Sequence, residues 1–583
     1  MSSCIFCTRR VISLLLLLCY VFSAWASQQL SIPEILAHSR LLANSSNDAN
    51  DNLIKCLNDI LRTPSMTRLR VVHELQHGRV AHTFLDIMKT YKIITADNMP
   101  SWLDHLSTFL DRYLRGVCPV HHGDMILMVN QTAFSGLPMV RRALLAKLAT
   151  AWRTSLGKRI PEVALEKLGE VIRKLYQIHK DSVIQKGVME YFHISKAGGT
   201  SWNSAAKLNG CVRARSAGSH VKGFGDECRW MDQNVYRNLT GRRILWGRWG
   251  RVSRATRQHG CRARYDYVAS KGFSYISNEY TLQGGHDSIL DAHICPQFVN
   301  VVTLREPIKR MESNIRFIMM HVKAAHRRHG KEDHFNSVFC NASAAFWEAL
   351  GPPITDNYIV RSFLGGEGFH TPLGHISAEH VAAARDQLLQ FDLVLDLDAG
   401  PEANDRIAQQ GLGWSAALSA AHALDSSILS IKMHLNYSTC HPEQTGMETL
   451  SRRQGPDQQL YGFGRVVNQL DELWLDLSRE LGEKPEQLQC GMLFRGSNNS
   501  ALATAITRMT GRLSSAGKGG KVQPGRWQNP GGSIDGVDTD AEADMEADTE
   551  VKAEADAEVE AGAAVEADMD ATDLPYITDE TDE

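Results

Sequence analysis

Lys196-Ala197-Gly198-Gly199-Thr200-Ser201 sets one cation, two glycines and two hydroxyls within six residues. The run before it, Val188 to Ile194, reads as a strand, and the residues after it read as a helix. Such a turn presents bare backbone N–H groups at a helix N-terminus. It binds phosphate, because the donors point outward and the macrodipole favours an anion. The glycines let the ligand come close, and Lys196 adds charge. The G-x-x-x-x-G-K-[ST] pattern is absent at this turn, which weighs against a nucleotide triphosphatase. A second anion site is expected at Arg305, at the carboxyl end of the strand Phe298–Leu304, where open α/β sheets bind their ligands. Arg310 and Ser313 lie one turn apart on the helix that follows and share a face. A guanidinium and a hydroxyl there suit a second phosphate.

These two segments carry a resemblance. Tyr191-Phe-His-Ile-Ser-Lys-Ala-Gly-Gly-Thr-Ser-Trp202 resembles the 5′-phosphosulfate loop of Golgi carbohydrate sulfotransferases. The nearest group is the heparan sulfate 2-O- and 6-O-sulfotransferases, where His-Ile-x-Lys-x-Gly-Gly-Thr is usual. Thr303-Leu-Arg-Glu-Pro-Ile-Lys-Arg-Met-Glu-Ser313 resembles that group's 3′-phosphate segment, including a serine eight residues after the arginine. Asp457-x-x-Leu460-Tyr461 is similar to a further signature, and Asn357, Tyr358 and Arg361 resemble a segment that flanks the nucleotide. The likeness covers about 188–480. It implies a P-loop-NTPase-like parallel α/β sheet flanked by helices, with PAPS (3′-phosphoadenosine 5′-phosphosulfate) as co-substrate. It also implies that Lys196 meets the sulfuryl group and the bridging oxygen. Ala197, Gly198, Gly199, Thr200, Ser201 and Trp202 would surround the 5′-phosphate, while Arg305 and Ser313 hold the 3′-phosphate. A lysine and an N–H nest neutralise a transferring SO₃ group without a metal, so none is expected.

The acceptor hydroxyl needs a general base. Ser277-Asn278-Glu279-Tyr280 stands about where the 6-O enzymes have His-x-Asp-Trp, with a serine in the histidine's place. Glu279 is the first candidate, His286 after Gly284-Gly285 the second, and His293 a third. The missing histidine also motivates a different reading, a secreted glycan-binding protein on an inactive sulfotransferase fold. Protein-tyrosine sulfation and an ATP-dependent kinase are further alternatives. The kinase would need Mg²⁺ and carboxylates to hold it.

The elements that must position these groups come from the rest of the chain. Leu165, Leu168, Ile172, Leu175 and Ile178 recur at helical spacing behind Pro161, within a helical region of residues 27–185. Strands and helices then alternate over 186–490: a helix from Pro307 closed by Gly330, a helix from Ser377 to Leu389, the strand Phe391–Leu397, and helix again over roughly 450–485. That alternation predicts a parallel sheet. Residues 491–534 read as a Gly/Ser-rich linker, and 535–583 as a disordered acidic tail. The tail has twenty Asp/Glu and one Lys, so a chain of net charge −3 has a body of about +16 over its first 534 residues. A basic body favours anionic ligands. Arg213 to Arg264 holds thirteen Lys/Arg against three Asp/Glu, with Trp230, Trp246 and Trp249 among them. Cations beside flat rings suit an anionic glycan.

Residues 1–26, with Arg9 and Arg10 ahead of an apolar run and Ala24-Trp25-Ala26 behind it, read as a signal peptide or short signal anchor. This leader predicts a Golgi-luminal protein, either type II anchored or secreted, whose only membrane contact is the leader if uncleaved. It argues against nucleic acid as the partner. Six N-x-S/T sequons, at Asn44, Asn130, Asn238, Asn341, Asn436 and Asn498, agree with that compartment. Nine cysteines lie beyond the leader, so at least one is unpaired. Cys211, Cys228, Cys261 and Cys295 crowd one region, where disulfides are expected.

Overall fold

Val299-Asn-Val-Val-Thr-Leu304 is buried at all six positions, as a parallel strand covered on both faces should be. In the computed structural model it is the third in chain order of the four strands of the main sheet: β1 (Met189–Phe192), β2 (Tyr275–Asn278), β3 (Val299–Leu304) and β4 (Leu393–Asp396). The structure describes residues 31–38, 47–61, 86–116, 137–157, 159–214, 231–240, 248–249, 260–279, 281–285, 287–327, 330–421, 440–485 and 490. The leader, most of the basic stretch, the linker, the acidic tail and the sequons Asn44, Asn130, Asn436 and Asn498 lie outside them.

All four strands are parallel, in the order β2-β1-β3-β4. Phe192 lies opposite Asn278 on one side and Val302 on the other, while Leu304 lies opposite Asp396. The carboxyl ends therefore open along one edge. The chain leaves β1 outward to β2, then returns past β1 to form β3. Connections diverge on either side of that gap, so the β1/β3 junction is a topological switch point.

Helices flank the sheet: α1 (Met99–Gly116), α2 (Leu137–Ala151), α3 (Glu162–Lys186), α4 (Gly199–Leu208), α5 (Cys261–Ser270), α6 (Pro307–Arg327), α7 (Ala378–Leu388), α8 (Pro401–Leu412) and α9 (Gly455–Glu480). Their ends follow local chemistry. α3 starts behind Pro161, and Leu168, Ile172, Leu175 and Ile178 are all fully buried. Ser377 and His380 cap α7 reciprocally, which satisfies amides that the helix leaves unpaired.

The helices before β1 share one hydrophobic core with the sheet, and buried charge fastens them to it. Arg142, on α2, donates to both carboxylate oxygens of Asp471 on α9, at 3.0 and 2.6 Å, and to the carbonyls of Leu389 and Phe391. Arg141 donates to the same carboxylate at 2.8 Å and lies over the Trp474 ring. Lys186 closes α3 by donating to both oxygens of Asp392, just ahead of β4.

Three disulfides are present among the described residues, Cys211–Cys490, Cys261–Cys295 and Cys340–Cys440, with Cys56 unpaired. Only Cys261–Cys295 stays within the crowded region. Cys211 reaches instead to the far end of the domain. Among the described residues no helix is long and apolar enough to cross a membrane.

Candidate functional site

β1 ends at Phe192, and the chain turns through Lys196 and Gly198 into α4. Both residues have left-handed backbone, with φ of 65° and 92°. Glycine adopts this freely, whereas lysine does so at a cost on the order of 1 kcal/mol, so something must hold the turn. Arg305, at the end of β3, does this: its Nη1 donates to the Lys196 carbonyl at 3.0 Å. Beneath the turn, Tyr191 donates its hydroxyl to the Ala197 carbonyl at 3.0 Å and stacks on Trp202. No side chain caps α4, so its first-turn amides face outward from the glycine turn.

Lys196 lies with its Nζ 4.2 Å from the centre of the Phe317 ring on α6. Burial pulls its pKa down to about 8, with Glu279 pulling it up and Arg305 adding to the fall. Ser313 is four residues before Phe317 and shares its helix face, so this half-buried serine is on the side of α6 turned to the Lys196 loop. Asn314 reaches Ser195 from the same helix at 3.5 Å. Lys196, Gly198, Gly199, Thr200, Ser201, Arg305 and Ser313 thus gather around the β1/β3 switch point, and Glu279 follows β2 immediately beside them.

Other expected groups are elsewhere. Arg310 is fully buried; its Nη2 donates to the Ile354 carbonyl at 3.1 Å and its guanidinium lies over the Tyr358 ring, while its Nε and Nη1 have no hydrogen-bond partner among the described residues. Its α6 position turns inward, while Ser313 turns toward the loop. Arg361 is consumed by the carboxylate of Asp356 and the carbonyls of Asp356, Phe369, Thr371 and Pro372. Asn357 and Tyr358 are buried with it, and Asp457 accepts from the amides of Ile359 and Val360 at 2.9 and 2.8 Å. This constellation builds the support behind α6. Ala197 and Trp202 are buried too, and the indole donates to Thr303 at 2.8 Å, so both act from under the loop.

His293 hands its Nδ1–H to the Asp291 carbonyl at 2.7 Å and packs beside Gly284. His286 lies outside the described residues, as do Trp230 and Trp246 of the basic stretch.

Sequence reasoning passed over three groups. His193 sits against Gly199 and Glu279; its signal was its place at the strand end. Asp398, after β4, accepts from the Glu306 amide and from Lys309, both at 2.8 Å, which fixes the start of α6 behind Arg305. Nothing local in the sequence marks that contact. The string His73-Glu74-Leu75-Gln76-His77 has the two-histidine spacing of a zinc-binding helix, and it lies outside the described residues. Among the described ones, no three His, Cys, Asp or Glu are grouped to hold a metal.

No family model, curated protein or solved structure matches this chain.

Proposed function

We propose that the chain is a PAPS-dependent sulfotransferase that moves a sulfuryl group onto a glycan hydroxyl in the secretory pathway. The observation that carries this reading is the Arg305–Lys196 hydrogen bond across the β1/β3 switch point. It joins two cationic, anion-binding segments at the edge where parallel sheets receive ligands. A nucleotide with phosphate at both its 5′ and 3′ positions suits that pair. Lys196 and the amides of Gly198 to Ser201 serve the 5′ end, and Arg305 and Ser313 serve the 3′ end.

In the proposed step Glu279 takes the acceptor's proton as the hydroxyl oxygen bonds to sulfur. The bond from sulfur to the bridging phosphate oxygen breaks, and its electron pair leaves with adenosine 3′,5′-bisphosphate (PAP). Lys196 and the α4 amides meet the charge growing on that phosphate. The products are a sulfate ester, PAP and a proton that Glu279 returns to water. Three disulfides favour an oxidising lumen, and the basic stretch from Arg213 to Arg264 favours an anionic acceptor.

Incubation with labelled PAPS and a panel of glycans and tyrosine-containing peptides tests this reading. Label on a glycan is expected. Label on tyrosine would redirect the activity to proteins. PAP binding without transfer to anything would favour the glycan-binding alternative, and Mg²⁺-dependent transfer from ATP would favour a kinase.

A further inference from the structure

Two residues of α6, Ser313 and Phe317, lie one helical turn apart on the side that meets the phosphate loop. Ser313 has a place in the donor site proposed above, whereas half-buried Phe317 has none. Yet the Phe317 ring is where the Lys196 side chain ends, with Nζ 4.2 Å from the ring centre. Arg305 holds the Lys196 carbonyl and so fixes the backbone of the left-handed turn. That hold does not aim the charge, because a flexible four-carbon stem separates the ammonium from the backbone. Asn314 on the same helix reaches Ser195 at 3.5 Å, which ties α6, and the ring it carries, to the loop.

We infer that Phe317 is the positioning residue for Lys196: its ring face holds the ammonium at the phosphate loop, where the 5′-phosphate of the donor is received. This deepens the sulfotransferase reading above and rests on it. A ring face attracts a cation and leaves the neutral amine indifferent, the more so once water is removed. Lys196 is in that condition, for burial pulls its pKa down to about 8. The charged and titratable groups facing it are Glu279 after β2, Arg305 at the end of β3 and His193 after β1. On α6, Glu312 and Arg316 act on Arg305. Glu279 favours the ammonium and Arg305 opposes it; His193, with its pKa pushed down to about 3, stays neutral across the range tested. Removing the ring therefore lowers the pH at which Lys196 loses its charge.

The test measures PAP affinity by calorimetry from pH 6 to 9.5 in wild type, Phe317→Leu, which stays apolar without a π face, and Phe317→Tyr, which keeps one. Each variant is read as its ratio to wild type, so that ionisation of PAP itself affects both alike. At pH 6, where Lys196 is charged in every protein, Phe317→Leu should bind within about threefold of wild type. Its loss should then grow to about tenfold by pH 9, a fall that starts about one pH unit earlier than in wild type. Phe317→Tyr should track wild type. In a Lys196→Ala background Phe317→Leu should change nothing, since the two residues act as one unit. Should the leucine variant not fold, Phe317→Met takes its place. A loss equal at every pH marks a merely structural role and overturns the assignment, as does an unmoved limb or a tyrosine variant shifted like leucine. So does a wild type whose affinity for PAP stays flat to pH 9.5. A wild type that binds no PAP removes the donor-site reading itself, which separates the two failures.

Discussion

Lys196 and Glu279 divide the proposed chemistry between a charge and a base. Lys196→Ala should cut transfer by at least about 10²–10³-fold while far-UV circular dichroism stays unchanged; wild-type turnover would remove Lys196 from the site. Glu279→Gln should lower kcat by about 10²–10⁴-fold with PAP affinity retained, and full activity there would pass the base to another group, with His286 next. The depressed pKa of Lys196, about 8, also gives a signed expectation. Its charge is complete below that pH and lost above it, and a bound phosphate favours the charged form. PAP affinity should therefore be flat below pH 7 and fall by up to about tenfold per unit above pH 8. A flat profile to pH 9.5 would mean that Lys196 does not touch the phosphate.

At the scale of elements, α2 and α9 are joined by one carboxylate serving two guanidiniums. Asp471→Ala would leave Arg141 and Arg142 buried without their anion, so it should destabilise by about 3–5 kcal/mol in urea unfolding. A loss below about 1 kcal/mol would show that water relieves the pair. This joint also shows what the sequence could tell and what it could not. β3, α6, α7 and β4 were legible because Pro307, the Ser377 cap and unbroken apolar runs are local signals. The lysine-glycine turn and Arg305 were legible for the same reason. The burial of Arg310 was out of reach, since Arg310 and Ser313 share a helical face in projection and only packing decides which side chain turns inward. The His193–Glu279 contact depends on strand order and register, which no local pattern encodes. The long Cys211–Cys490 link was equally out of reach of spacing arguments.

For the whole molecule, the compartment and the metal question can be tested without knowing the acceptor. Asn238 and Asn341 are the two sequon asparagines within the described residues, and both are exposed. Protein secreted or retained in the lumen should lose mass on peptide-N-glycosidase treatment, and Asn238→Gln with Asn341→Gln should remove two glycan-sized steps. Unmodified asparagines in protein made by eukaryotic cells would argue against passage through that lumen. Cys211 and Cys490 close a loop spanning 279 residues, so Cys211→Ser with Cys490→Ser should cost on the order of 3–5 kcal/mol, read as a lower melting temperature. Prolonged dialysis against EDTA should leave transfer unchanged, and activity restored only by zinc would turn attention to His73–His77. The most direct measurement is calorimetric titration of the wild type, Lys196→Ala and Arg305→Ala with PAP and with adenosine 5′-monophosphate. Wild type should prefer PAP by at least about tenfold, Arg305→Ala should lose that preference, and Lys196→Ala should weaken both ligands. Equal affinity of the wild type for the two nucleotides, or no binding of either, would contradict a single cleft that grips a nucleotide by both its phosphates.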